Sequence, residues 1–272
     1  MLIQATVQPM QRSRGEAMVS LAQGDAQVRL TGLRQSGSAK AILPRVGAHP
    51  EIVFLNTSGG LAGGDRLSYA VHLGEGVHAT ATTQTAERAY RSGEGAARVQ
   101  VDLTVGAGGW IDWLPQETIL FDESRLDRRT RIDLGVGAGC LMLECVILGR
   151  AAMGERVTRI ALNDWREIRS GGTPVMTEPL RLTDAALETG AAGLAGMRAF
   201  ATIAMVGQGV GDLLGPLRDV LDEAGVIAAA SAPEGRLVLR AMAGDGWPLR
   251  RQIARCLGVL RRGRPLPRVW QM

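Results

Sequence analysis

Five carboxylates stand where a carboxylate is costly. Asp65, Glu87, Glu117, Asp122 and Glu155 each lie in an otherwise apolar or glycine-rich stretch, and a charge in such company must be paired or solvated. The first stands at the exit of a glycine-framed turn, Gly59-Gly60-Leu61-Ala62-Gly63-Gly64, which runs into Asp65-Arg66-Leu67. Two glycine pairs let the backbone take positive φ at little steric cost. Ile52-Val53-Phe54-Leu55 enters the turn, and alternating Leu67, Tyr69, Val71 and Leu73 leave it. The plainer reading is a hairpin whose glycines serve turn geometry. The sharper one is a backbone kept bare so that a partner chain or ion can approach Asp65. Pairing offers each acid a simpler fate: Asp65 with Arg66, Glu87 with Arg88 or Arg91, Glu155 with Arg150.

Other chemistries are excluded by residue type and spacing. A P-loop needs Gly-Lys-Ser or Gly-Lys-Thr opening a helix, whereas Asp65 stands where the cation should be and a strand follows. Gly207-Gln208-Gly209-Val210-Gly211 has its third glycine misplaced for a dinucleotide fingerprint, and Asp212 would oppose a pyrophosphate. No GxSxG or HExxH pattern supplies a nucleophile or a metal-bound base. His49, His72 and His78 have no metal-type spacing, and Cys140, Cys145 and Cys256 form no CxxC pair. An odd cysteine count and an N-terminus in which Gly15-Glu16 follows Arg12 and Arg14, with no apolar run, lead us to expect a reduced, cytoplasmic protein.

A chain of 272 residues with 46% hydrophobic and 21% charged residues can bury a large core. Aromatics make up only 4%, so Val, Leu, Ile and small residues must fill the interior. Lys40 is the sole lysine beside many arginines. That bias suits bidentate interface pairing, and a GC-rich genome produces it equally. The net charge of +4 is mild. A basic C-terminal run (Arg250, Arg251, Arg255, Arg261, Arg262, Arg264, Arg268) keeps a nucleic-acid binder as an alternative, and the glycine loop keeps a nucleotide-binding enzyme as another. Both are disfavoured. The apolar stretch from Gly135 to Met153 is interrupted by Glu144 and Arg150 and reads as a buried strand, not a membrane span.

Period-two alternation dominates the first two thirds. Val99, Val101, Leu103 and Val105 alternate with polar residues, and further strands are expected near 77–82, 110–114, 118–121, 129–134, 140–148, 156–162 and 165–169. Glycine clusters at 74–76, 106–109 and 135–139 punctuate them. Many short strands with regular turns predict a mainly β fold of stacked sheets, with two or three helices in the C-terminal third. One helix is expected over Asp212–Ala224, with Gly225 as its stop. Another runs from about Pro248 to Arg262, with Asp245 upstream and Gly263 ending it. No internal repeat or linker is evident, and residues 1–272 read as one domain.

Taken in order, the motifs say more than any one of them. The glycine loop is followed by Thr82-Thr83-Gln84-Thr85-Ala86-Glu87-Arg88-Ala89-Tyr90-Arg91-Ser92, then by Trp113-Leu114-Pro115-Gln116-Glu117-Thr118-Ile119-Leu120-Phe121-Asp122. Gly149-Arg150-Ala151-Ala152-Met153-Gly154-Glu155 comes next, and Leu266-Pro267-Arg268-Val269-Trp270 closes the series. From about Leu33 onward the chain closely resembles the urease accessory protein D family (UreD, called UreH in some systems).

That resemblance implies a non-enzymatic maturation factor with a β-helix-like stack of sheets. It implies partners: accessory proteins F and G, the latter a GTPase, and apo-urease, with no nucleic acid and no membrane. It also implies transient contact with nickel(II) in transit and no tightly bound cofactor. A cation that must be bound and released suits carboxylates, hydroxyls and carbonyls better than a Cys/His cage, which makes Asp65, Glu87, Glu117, Asp122 and Glu155 the path candidates. Gly59, Gly60, Gly63 and Gly64 are the structural loop. Tyr90, Arg91, Arg268 and Trp270 are the partner-interface candidates, with a core-capping role for Trp270 as the equal alternative. Many relatives carry His-Pro-Pro before the loop where this chain has Asn56-Thr57-Ser58, which removes a possible soft ligand.

Overall fold

The structure, a computed structural model, describes residues 11–44 and 49–270, with the backbone alone at Ala191. The first ten residues, on which part of the N-terminal reading rests, lie outside them. The chain opens with an antiparallel pair, β1 (Arg14–Gln23) and β2 (Val28–Gly37), and a short β3 (Ala39–Ile42). It then winds in coils. β4 (Glu51–Asn56) turns a corner into β5 (Arg66–Leu73). β6 (His78–Thr83) and the short β7 (Glu87–Ala89) lead to β8 (Ala97–Val105). β9 (Trp110–Trp113) and β10 (Thr118–Leu120) lead to β11 (Ser124–Leu134), and β12 (Gly139–Leu148) leads to β13 (Ile160–Ser170).

The strands that open the coils join a ten-stranded sheet, and those that close them join a seven-stranded one. Successive coils pair in parallel, Arg66 with Arg98 and His78 with Trp110. Side chains therefore meet their counterparts about one coil later: Thr82 Oγ1 donates to the Leu114 carbonyl 32 residues on, and Trp113 Nε1 to Glu144 31 residues on. The coil is thus an internal repeat that was not evident in the sequence. It repeats in geometry while most of its residue types change. Its Gly-rich corners stack directly, and a Cβ on Gly106 would lie 2.6 Å from the backbone of Gly74 and Glu75.

After the coils, β14 (Thr173–Thr183) adds an antiparallel edge to the seven-stranded sheet. A one-turn α1 (Asp184–Leu187) and β15 (Ala199–Val206) follow. Next come α2 (Leu214–Arg218), β16 (Val226–Ser231) and β17 (Arg236–Ala243), and β15, β17 and β16 extend the ten-stranded sheet. The helix expected over Asp212–Ala224 is shorter, a 3-10 turn at Val210–Leu213 and then α2. The last helix, α3 (Gly246–Leu260), has Asp245 as its N-cap, the side chain accepting from the Trp247 amide at 2.9 Å. Its end is a Schellman turn with Arg262 at φ 53° and the Gly263 amide on the Gly258 carbonyl. Of the segments 156–162 and 165–169, expected as separate strands, the second and only the end of the first fall within the single β13, and residues 156–159 form no strand.

The alternation sorts two cores onto the two faces of the ten-stranded sheet. Phe54, Tyr69, Leu103, Trp113 and Met142 fill the space between the sheets. Leu143, Ile203, Leu239, Leu257 and Trp270 fill the space under α3. Among the described residues no helix is long and apolar enough to cross a membrane.

Candidate functional site

The glycine loop is not a hairpin. β4 and β5, which flank it, belong to different sheets, so the loop turns a coil corner and packs against the next coil. The Leu61 amide donates to the Arg88 carbonyl at 2.7 Å, and the Tyr90 amide to the Leu61 carbonyl at 2.8 Å. The bare backbone is needed for this contact: a Cβ on Gly63 would sit 2.4 Å from the Glu94 carbonyl, and one on Gly60 2.3 Å from the Tyr90 ring. Tyr90 in turn donates its hydroxyl to the Gly59 carbonyl at 3.0 Å and rests edge-on against Phe121. Arg91 is exposed and pairs with Glu123.

Asp65 does not pair with Arg66. Its Oδ1 accepts the Ser13 amide and its Oδ2 the Ala62 amide, both at 2.7 Å, while its carbonyl accepts the Arg98 amide at 2.8 Å. This buried residue thus ties three chain segments together.

The other four acids divide into two pairs. Asp122 Oδ1 accepts the Thr158 and Arg159 amides, and Glu155 takes the Arg150 guanidinium at 2.8 Å while accepting the Asp122 amide. Burial works against both charges, but these donors outweigh it and hold both carboxyls below their ordinary values. Glu87 and Glu117 lie on adjacent rungs, the Glu87 amide donating to the Glu117 carbonyl. Glu117 pairs with Arg250 at 3.2 Å. Among the described residues Glu87 meets no guanidinium: its oxygens accept the Asn56 side-chain amide at 3.1 Å and the Arg88 backbone amide at 2.9 Å. Burial pushes its carboxyl up, against the pull of those two donors and the Arg88 charge. Asn56, where many relatives of the family are expected to carry histidine, is therefore a direct partner of Glu87. The five acids do not converge, and among the described residues no three His, Cys, Asp or Glu side chains form a metal-holding group.

What converges instead is a seam of buried charge between the sheets. Arg128 donates to both oxygens of Asp164, to Thr118 Oγ1 at 3.0 Å, and pairs with Glu144 at 2.7 Å. Glu144 also accepts from Trp113 and Thr130. Arg166 links Asp164 to Glu178, and Arg240 pairs with Glu178 at 2.6 Å. Burial drives Asp164 up, but the guanidiniums of Arg128 and Arg166 outweigh it and hold the carboxyl low. The seam has one end at Thr118, the register partner of Glu87 on the neighbouring strand, and crosses the interior from there. It emerges in a groove of about 650 Å³ lined by Arg166, Glu178, Thr202 and Arg240 with Phe200 and Ile227. The sequence reading missed Arg128, Glu144, Asp164 and Glu178. Their signal was a charge at an inward position of a strand otherwise alternating with apolar residues, as at Leu126-Asp127-Arg128-Arg129-Thr130.

The C-terminal segment turns inward. Trp270 is buried, its indole donates to the Leu114 carbonyl at 3.0 Å, and the Arg250 guanidinium stacks over its ring at 4.6 Å. It caps the protein's own core, the alternative that stood level with an interface role; Arg268 remains exposed. The basic run is largely spent on internal pairs, Arg251 and Arg255 with Glu223, Arg261 and Arg264 with the fully buried Asp112. A nucleic-acid face at this end thereby loses most of its charge.

Comparison with known proteins bears directly on this arrangement. A family model described as UreD urease accessory protein matches residues 13–271. The chain belongs to the UreD family. A protein named Urease accessory protein UreD from Cereibacter sphaeroides (strain ATCC 17025) is 65% identical over 265 residues, 96% of each chain. One of the same name from Paracoccus denitrificans is 55% identical over 266 residues, covering 97% of this chain and 94% of the relative. A third, from Rhizobium leguminosarum bv. viciae, is 40% identical over 273 residues, 99% of each. The UreD match spans the coils, the seam and the inward-turned tail alike.

Proposed function

We propose that the chain is a urease maturation factor. It acts without catalysis, as a scaffold that binds apo-urease together with accessory proteins F and G while nickel(II) is delivered to the urease active site in the cytoplasm. The observation that carries this reading is the family match over residues 13–271, joined by full-length relatives whose printed names say urease accessory protein.

Within that reading the acids are not equivalent. The seam carboxylates are each neutralised by arginine, and a divalent cation would have to displace a guanidinium to use them. Asp65 is saturated by backbone amides. Glu87, whose partners are neutral amides, is the acid best suited to accept nickel(II) in passage. The test is co-expression with the urease subunits and accessory proteins F and G, with the full chain tagged. Supporting results are co-purification of these partners and nickel-dependent urease activity that falls when the chain is omitted. Undiminished activation without the chain, or GTP hydrolysis by the pure chain, overturns the reading. Glu87→Gln is expected to lower activation while the complex still forms.

A further inference from the structure

The outer face of the seven-stranded sheet carries a row of arginines that no ion pair among the described residues neutralises. Parallel pairing sets Arg14 beside Arg66 and Arg66 beside Arg98, one on each of β1, β5 and β8. All three are exposed, and none has an ion-pair partner among the described residues. Two residues further along the same strands, the next outward row continues from Ser68 and Gln100 to Arg129 and Trp165. The two rows rim a groove of about 750 Å³, to which Arg181 also contributes. Arg129 and Arg181 are likewise unpaired. Three acids line this groove: Glu16 is drawn to Arg34 at 3.4 Å, Asp127 accepts from Asn163 at 2.8 Å, and the buried Asp164 is taken by Arg128 and Arg166. Trp165 is 42% exposed.

Such a row is electrostatically unfavourable in the free protein, yet the fold fixes it. Asp65 accepts the amide of Ser13, next to Arg14. It directly precedes Arg66, and its carbonyl accepts the amide of Arg98. One buried residue at the glycine-loop exit thus aligns the starts of all three arginine-bearing strands.

We propose that Arg14, Arg66 and Arg98, aligned by Asp65, form with Arg129 and Trp165 a docking groove for an acidic face of a helix on a protein partner. The spacing selects the occupant. Neighbouring strands lie about 4.8 Å apart, so the arginines repeat at nearly the interval of carboxylates three and four positions apart on a helix, about 5–6 Å. Arginine forks bind carboxylates bidentately, and a half-exposed Trp beside Arg is the composition of an interface hot spot. A single-stranded nucleic acid would be held by successive stacking aromatics, and among the described residues Trp165 is the only aromatic lining the groove. The inference stands on this groove and not on the maturation reading.

The test uses the full chain and a fluorescent alanine-based helical peptide with Glu at every third or fourth position along one face. Anisotropy is measured at increasing salt. The reversal Arg66→Glu/Arg98→Glu is compared with Arg156→Glu/Arg262→Glu, which changes net charge equally at exposed arginines outside the groove. We expect at least tenfold weaker binding for the groove reversal, a severalfold loss for Trp165→Ala, and a change under twofold for the control. Far-ultraviolet circular dichroism is expected to be unchanged throughout. Equal loss in both reversals, no binding by the parent chain, or equal binding of a peptide with the same Glu content scattered around the helix overturns the proposal. So does a single-stranded oligonucleotide of the same charge that binds more tightly than the peptide and depends on Arg66 and Arg98.

Discussion

Arg128 on one sheet and Glu144 on the other meet across the interior at 2.7 Å, both nearly inaccessible to solvent. The contact joins the sheets by charge within a core that is otherwise largely apolar. Since Asp164 shares the same guanidinium, Arg128 neutralises two buried acids at once.

Removing that arginine is therefore expected to cost more than its packing. Arg128→Met leaves Glu144 without a cation and Asp164 with Arg166 alone. A loss of about 3–5 kcal/mol is expected, the range for breaking a buried pair on one side. Adding Glu144→Gln to Arg128→Met should recover part of it, because the orphaned charge is gone. Urea denaturation of the three variants and the parent, read as a double-mutant cycle, measures this. The seam also has a pH signature. Asp164 is held below its ordinary value, so it contributes stability above about pH 4, the unfolded value. That contribution is lost as the pH falls through the folded value.

The fold was legible where alternation was clean. β8 shows outward polar residues between Val101, Leu103 and Val105, and the structure buries those three. It was illegible where pattern and partner disagree. β14, not among the expected strands, carries Pro174 and Pro179, and the structure accommodates them by placing the strand at a sheet edge. β2 is exposed along nearly its whole length and has no alternation to detect. At the site, the glycine loop announced a close approach, but not what approaches. Glycines adjacent in sequence cannot reveal that the contact is the chain's own next coil, about thirty residues on. The seam was hidden because each of its charges looks, in sequence, like an ordinary neighbour of other charges.

The loop glycines are expected to differ sharply. Gly59 has φ 78° but open space around its Cβ position, so Gly59→Ala should cost only about 1 kcal/mol of backbone strain. Gly63→Ala forces a methyl to within 2.4 Å of the Glu94 carbonyl and should cost several times more, since backbone must move. Asp65→Ala strands the partly buried Ser13 and Ala62 amides, each worth up to about 1–3 kcal/mol when left unsatisfied, and is expected to destabilise the corner. Thermal unfolding of the three variants should rank Gly59→Ala nearest the parent. Parent-like stability of Gly63→Ala would mean that the coils are not stacked this closely.

At the other end of the chain, Trp270→Ala should lose about 3–5 kcal/mol, because the indole fills the core under α3 and its hydrogen bond to Leu114 goes with it. Arg268→Glu, two residues earlier and exposed, should change stability by less than about 0.5 kcal/mol. Calorimetric melts of the two variants separate the roles. Equal, small shifts would place Trp270 outside the core.

Glu87 offers the test most specific to the candidate path. Burial raises its carboxyl in the folded chain, only partly offset by Asn56 and Arg88, whereas the unfolded chain titrates near pH 4.3. Between those two values the native state holds more protons than the unfolded state, so stability attributable to this group falls as the pH rises. Above the folded value the penalty is constant. Glu87→Gln keeps an acceptor for the Asn56 or Arg88 donor and removes the charge. Its stability relative to the parent should therefore be lowest at pH 4 and climb to a plateau towards pH 8. Urea denaturation across that range measures the difference directly. Parallel curves would show that the carboxyl is freely solvated, which would also remove the physical reason for singling out Glu87 as an ion-accepting acid.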